Sequence, residues 1–324
     1  MYSVYDDWPK IALDSFESQY EQTDYKNIDH IVFSGMGGSG SIGDLFSSIL
    51  LKTNLHVSIV KGYLLPKTVD ENTLVITTSV SGNSLETLNI LRTASRSSCK
   101  LISFSSGGKM ESFCKHNNVD YRKIPITHSP RASFPSYVYS ILNILESSLP
   151  ISKNNIYESI NALEKLAKKI NHNNLSQTNP SLEIGSKIKS IPSIYYPHGL
   201  QASAIRFKNS LQENSKLHAI TEDIIEVCHN GIEAWQEKSN VQPILLQGKD
   251  DYIKTKERWR IIKKFFKEQN IDFLEISSID GNILTKLMHL IYLLDYSTIY
   301  NAAIRKTDPS PVKSIEYVKS KLKP

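Results

Sequence analysis

In the first half of the chain, short β-branched runs alternate with amphipathic stretches, and a glycine run follows directly on the first of them. Strands so spaced need helical crossovers, and those crossovers cover a parallel sheet on both faces, so the pattern predicts an α/β fold. Strands are predicted at residues 30–34, 56–61, 74–78 and 100–104, with a shorter one at 121–124. After a short N-terminal helix, helices are predicted to start near Ser41, Ser84, Lys109 and Pro135. Proline suits the first turn of the last, where a missing N–H costs little.

The run SSLPISKNN interrupts this alternation with Pro150 and two asparagines, which predicts a boundary between domains at 1–150 and 151–324. With 324 residues, 40% of them hydrophobic, the chain can fill two cores. Beyond the break the same plan returns: helix 156–170, strand 193–196, helix 200–211, strand 244–247, helix 252–269, strand 272–276, helix 282–300 and a closing helix 311–322. No residue-level repeat accompanies it, so the duplication is one of architecture.

A net charge of +5 without a basic tail argues against nucleic acid as partner. Three cysteines with no CxxC pairing fit a reducing compartment and offer neither a disulfide framework nor a zinc site. The N-terminus, MYSVYDDWPK, lacks the basic-then-apolar order of a signal peptide, and no apolar run nears the ~20 residues of a spanning helix. A cytoplasmic protein with no membrane partner is expected.

Two loops carry the functional signal. In the first, Gly35-Met-Gly37-Gly38-Ser39-Gly40 lies between a strand and a helix, where bare N–H groups and the helix dipole favour an anion. A tight turn without ligand is the bland alternative. Gly35, Gly37 and Gly40 also satisfy the dinucleotide-binding spacing GxGxxG. An NAD site, however, calls for an acidic residue about 20 positions on. The chain has Lys61-Gly62 there, which leaves an NADP-linked oxidoreductase as an alternative. The second loop, Thr77-Thr78-Ser79-Val80-Ser81-Gly82-Asn83-Ser84, again joins a strand to a helix. Ser79, Ser81 and Ser84 would set short hydroxyls beside helix N-terminal amides, an arrangement suited to a terminal phosphate. Simple helix capping by Asn83 or Ser84 is compatible with that role.

Taken in order, GMGGSG, SVSGNS, Pro130-Arg131-Ala132, Glu213-Asn214 and His229-Asn230 resemble the archaeal-type bifunctional phosphoglucose/phosphomannose isomerases over nearly the whole chain. The resemblance implies two SIS-type (sugar isomerase) domains, flavodoxin-like with parallel sheets and helices on both faces. It implies a homodimer that interconverts glucose 6-phosphate or mannose 6-phosphate with fructose 6-phosphate, without metal or other cofactor. Carried over residue by residue, it assigns the substrate's phosphate to Gly37, Gly38, Ser39, Ser79, Ser81 and Ser84, the last standing where the family usually has threonine. It makes Glu213 the catalytic base, places Arg131 beside the reacting carbons, and gives ring opening to His229 and Lys319, although Lys313, Lys321 and Lys323 crowd the same tail.

The chemistry needs such groups. Moving a carbonyl between C1 and C2 requires a base to carry the proton and a cation to hold the enediolate, and opening the closed sugar ring asks for a group titrating near neutrality. Each residue also has a plainer reading: Arg131 as an ion-pair partner, Glu213 as a solvated helix residue, His229 as structural. The chain departs from the family in reading Gln212-Glu213-Asn214 and His229-Asn230-Gly231 with Ala234 before Trp235, and these positions bear on sugar preference. No HxH or HxxxH pair occurs, so a metal-free mechanism is expected. A non-catalytic SIS-domain phosphosugar sensor is the alternative outside enzymology.

Overall fold

The computed structural model describes residues 1–322, in two compact units made essentially of Ser3–Ile160 and of the chain from Asn161 onward. The first opens with two helices, α1 (Tyr2–Asp6) and α2 (Trp8–Phe16), where one was expected. It continues as β1 (His30–Ser34), α3 (Gly38–Leu50), β2 (His56–Val60), β3 (Thr73–Ser79), α4 (Leu85–Ala94), β4 (Lys100–Ser105), α5 (Gly108–His116), β5 (Asp120–Lys123) and α6 (Phe134–Ile144). Every expected strand is present within a residue or so. Helix α3 begins at Gly38 rather than near Ser41, because the glycines of the loop themselves enter its first turn.

All strand pairs are parallel, in the order β2-β1-β3-β4-β5. Strands β1 and β3 are buried along their full length, as expected of central strands covered on both faces. This is the flavodoxin-like order, not the 3-2-1-4-5 order of dinucleotide-binding folds. The chain leaves β1 toward β2 on one side and β3 toward β4 on the other. A crevice therefore opens at the carboxyl ends of β1 and β3, the topological switch point where ligands of such sheets bind.

Helix α7 (Lys153–Ile170) carries the division between the units within it, downstream of the Pro150 break. The second unit then runs α8 (Pro180–Lys187), β6 (Ile191–Tyr196), α9 (Gln201–Ser210), β7 (Ile220–Asp223), α10 (Ile224–Val227), β8 (Val241–Gln247), α11 (Ile253–Glu268), β9 (Leu274–Ser277), α12 (Ile283–Ile304) and α13 (Lys313–Lys321). Its strands lie parallel in the order β7-β6-β8-β9, the same plan one strand shorter. Strand β7 escaped the sequence reading because its four residues, ITED, form no apolar run and sit at an edge. Helix α8 escaped too, its start marked only by Asn179, whose side chain caps Leu182 N–H ahead of Pro180.

A core of Tyr195, Ile224, Trp235, Leu245, Trp259 and Phe266 joins β6, α10, β8 and α11. Among the described residues no helix is long and apolar enough to cross a membrane.

One buried group sets an acid limit on this unit. His289 of α12 has a ring Nδ1 with no hydrogen-bond partner, and burial, aided by the charge of Lys169, lowers its pKa from the ordinary 6.5 to about 4. The unfolded chain therefore takes up this proton first as pH falls. The group leaves stability unchanged above about pH 6.5 and lowers it progressively as pH drops toward 4. His289→Leu should flatten the urea-unfolding free energy across that window, and a variant keeping the wild-type slope would disprove the assignment.

Candidate active site

Register between β1 and β3 pairs Ser34 with Thr77, so the glycine loop and the serine loop leave the sheet side by side. They are joined directly. The backbone N–H of Val80 donates to Ser39 Oγ at 3.2 Å, and Ser79 Oγ donates to Ser84 Oγ at 3.2 Å. Ser39 and Ser79 are buried, Ser84 is half-buried at the N-cap of α4, and Ser81 is exposed. The Ser84 side chain makes no capping bond, so its hydroxyl is not spent on the helix end. The N-termini of α3 and α4 thus converge on a line of hydroxyls, and both dipoles favour an anion there.

Arg131 belongs to the same unit and comes to the same loop. A Cβ on Gly38 would stand 3.2 Å from the carbonyl oxygen of Pro130 and 3.4 Å from Arg131 Cα, so any larger residue would crowd the Pro-Arg-Ala turn. Trp8 Nε1–H donates to Ala132 O at 3.0 Å and pins the turn from the other side. The arginine is 5% exposed. His128, three residues before it, is held below the usual histidine range by burial and then by the neighbouring positive charges, Arg131 among them.

Lys61, weighed from sequence as a partner for a nucleotide phosphate, is engaged otherwise. Its Nζ lies 2.6 Å from both carboxylate oxygens of buried Asp44 on α3. Its stem packs at 3.3 Å from where a Cβ of Gly40 would be. The ion pair offsets an anionic group under a loop built for anions, and neither its partners nor its proximity was legible from residues 17 apart in sequence.

In the second unit, α9 does not simply end as expected. It widens into a π-helical turn, Leu211–Ser215, closed by Lys216 in the left-handed region. Asn214 Nδ2 donates to Thr298 Oγ1 at 2.8 Å, and Ser215 Oγ donates to the Thr298 carbonyl at 3.0 Å, so both are buried against α12. Glu213, next to Asn214, is half-buried. Lys216 Nζ donates to the carbonyls of Glu213 and Pro311, tying the turn to the segment before α13. One-turn π segments inside helices are frequent at functional sites.

His229 is exposed just after α10. Next to His229, Gly231 lies against Glu222, where a Cβ would come within 2.8 Å of its carboxylate. Burial and then Glu226 raise the Glu222 pKa. A glutamate on β7 thus fills the space beside the residue at which the chain departs from the family pattern. Lys319 lies on α13, none of whose residues is buried. Lys313 begins that helix and Lys321 ends it, over the Tyr317 ring at 5.7 Å, while Lys323 is outside the described residues.

Two flavodoxin-like parallel sheets, the first bearing a glycine and serine cradle at its switch point, define the SIS class of phosphosugar-handling α/β proteins. Residues 177–322 match the family model described as the bacterial phospho-glucose isomerase C-terminal SIS domain. The chain is 30% identical over 307 residues to a bifunctional phosphoglucose/phosphomannose isomerase of Caldicellulosiruptor bescii, covering 92% of this chain and 90% of that one. It is 29% identical over 328 residues to the protein of the same name from Aquifex aeolicus, covering 96% and 97%. The fold is also that of the C-terminal domain of glucosamine-fructose-6-phosphate aminotransferase from Francisella tularensis, with a TM-score of 0.70, 15% identity and coverage of 95% and 97%. The chain belongs to the bifunctional phosphoglucose/phosphomannose isomerase family.

Proposed function

We propose that the chain is an aldose-ketose isomerase that interconverts glucose 6-phosphate, mannose 6-phosphate or both with fructose 6-phosphate by proton transfer through an enediolate. The observation that carries this reading is the cradle at the β1/β3 switch point, where two helix N-termini and the Ser39, Ser79 and Ser84 hydroxyls gather around one place. Family membership supplies the reaction class.

In this reading the phosphate takes the N–H groups of Gly37 and Gly38 and the hydroxyls of Ser39, Ser81 and Ser84, with Ser79 orienting Ser84 from beneath. Arg131, always charged, stabilises the oxyanion of the enediolate. Glu213 carries the proton between C1 and C2, aimed by the π turn. His229 and Lys319 open the sugar ring. The enzyme works as a homodimer in this reading, as the family resemblance implies. Three free thiols accord with a cytoplasmic setting.

A coupled assay on glucose 6-phosphate and mannose 6-phosphate, side by side, tests the reading. Turnover of either is expected. Binding of fructose 6-phosphate with no isomerisation of any hexose phosphate would instead make the protein a phosphosugar sensor.

A further inference from the structure

A second glycine-bearing segment, residues 106–110 between β4 and the first turn of α5, lies outside the phosphate cradle and yet bonds to Val80, Gly82 and Asn83 of the serine loop. Ser106 N–H donates to the Val80 carbonyl at 3.1 Å, and Ser106 Oγ donates to the same oxygen at 2.7 Å. Met110 N–H donates to the Gly82 carbonyl at 2.9 Å. Asn83, for which helix capping was the bland alternative, has other partners: its Oδ1 accepts from Lys109 N–H at 3.1 Å while its Nδ2 donates to the Ser81 carbonyl at 2.9 Å. One side-chain amide therefore spans from the second loop to the serine that faces solvent in the cradle.

The backbones interlock as well. At Gly82, with φ of +66°, a Cβ would fall 1.8 Å from the Gly107 carbonyl oxygen. At Gly108, with φ of +73°, it would fall 2.6 Å from the Ser81 carbonyl oxygen and 2.9 Å from Asn83 Oδ1. No side chain fits at either place, so the two loops meet backbone to backbone. Adjacent register, Thr78 with Phe104 and Ser79 with Ser105, brings them together at the carboxyl ends of β3 and β4.

We propose that the loop after β4, acting through Ser106 and the Asn83 amide, is a positioning element that holds the serine loop in its anion-binding shape without itself touching the phosphate. The proposal rests on the reading that the cradle holds the substrate's phosphate. The shape matters because residues 80–83 lie between β3 and the first turn of α4, and a loop free to sample other conformations must be ordered at each binding event. Ser106 and Asn83 are positioning residues, and their loss weakens ground-state and transition-state binding of the phosphate alike.

The test is a double-mutant cycle of Ser106→Ala and Asn83→Ala, read as kcat, KM for fructose 6-phosphate and Ki for inorganic phosphate. Each single change is expected to raise KM and Ki together, by about fivefold to tenfold, with kcat falling less than threefold. Because both hold one segment, the double variant should lose less than the product of the single losses. If wild type binds phosphosugar and Ser106→Ala keeps wild-type KM and Ki, the positioning role is wrong and the phosphate reading stands. Losses that multiply would also overturn it, because the two residues would then act independently and not on one shared segment. Variants that lose kcat with KM and Ki unchanged contradict positioning, because the phosphate is then held as tightly as in wild type. Wild-type protein on which neither fructose 6-phosphate nor phosphate binds removes the phosphate reading itself, and this proposal with it.

Discussion

Glu213→Gln is expected to lower kcat by about a thousandfold while leaving KM and the binding of fructose 6-phosphate within a few-fold of wild type. Glutamine matches glutamate in size and keeps a carbonyl oxygen, but it cannot take a proton from a carbon. Neighbouring Asn214 and Ser215 hold the turn through Thr298, so the backbone should not register the change. The readout is a coupled isomerase assay together with exchange of solvent deuterium into the sugar at C1 and C2, which reports proton abstraction directly. A Glu213→Gln enzyme that turns over at the wild-type rate would take the base assignment away from this carboxylate.

The second large effect concerns the helices that carry the turn. Arg206 of α9 and Asp295 of α12 are 2% and 0% exposed as side chains, and the guanidinium meets the carboxylate at 2.7 Å and 3.0 Å. Ser210 Oγ adds a bond to Asp295 at 2.6 Å. Two charges out of water are tolerable only as a pair, since removing one leaves the other without compensation. Asp295→Ala should therefore cost about 3–5 kcal/mol. Equilibrium urea unfolding measures it, and a loss below about 1 kcal/mol would mean that water or another anion replaces the carboxylate. The double variant Arg206→Met/Asp295→Leu should recover most of the loss, because an apolar pair of similar volume has no charge to strand. The same pair joins the helix before Glu213 to α12, so the single variant is also expected to lose activity faster on warming than wild type.

Neither Arg206 nor Asp295 drew notice in the sequence, because the partners are 89 residues apart and each stands in a run that reads as ordinary helix. The glycine and serine loops were legible for the opposite reason. A glycine run after a strand, or short hydroxyls before a helix, answers a local demand of the backbone and shows within ten residues. Strand β7 was not, since a polar four-residue edge strand exists only because β6 offers it hydrogen bonds. Asn83 falls between: its place before a helix invited a capping role, and only the arrival of Gly108 and Lys109 from the next strand gave its amide other partners.

The sequence by itself thus determined the doubly wound class and the glycine and serine loops, which follow from short-range periodicity and backbone requirements. Arg131, Glu213 and His229 were singled out only through the family resemblance. Tertiary structure decided which loops meet, by ordering β1 next to β3. It decided that Lys61 answers Asp44 and that a π turn, not a plain helix end, presents Glu213. Those outcomes depend on which distant groups share a buried space, where an unpaired charge or amide is costly, and no local pattern encodes that.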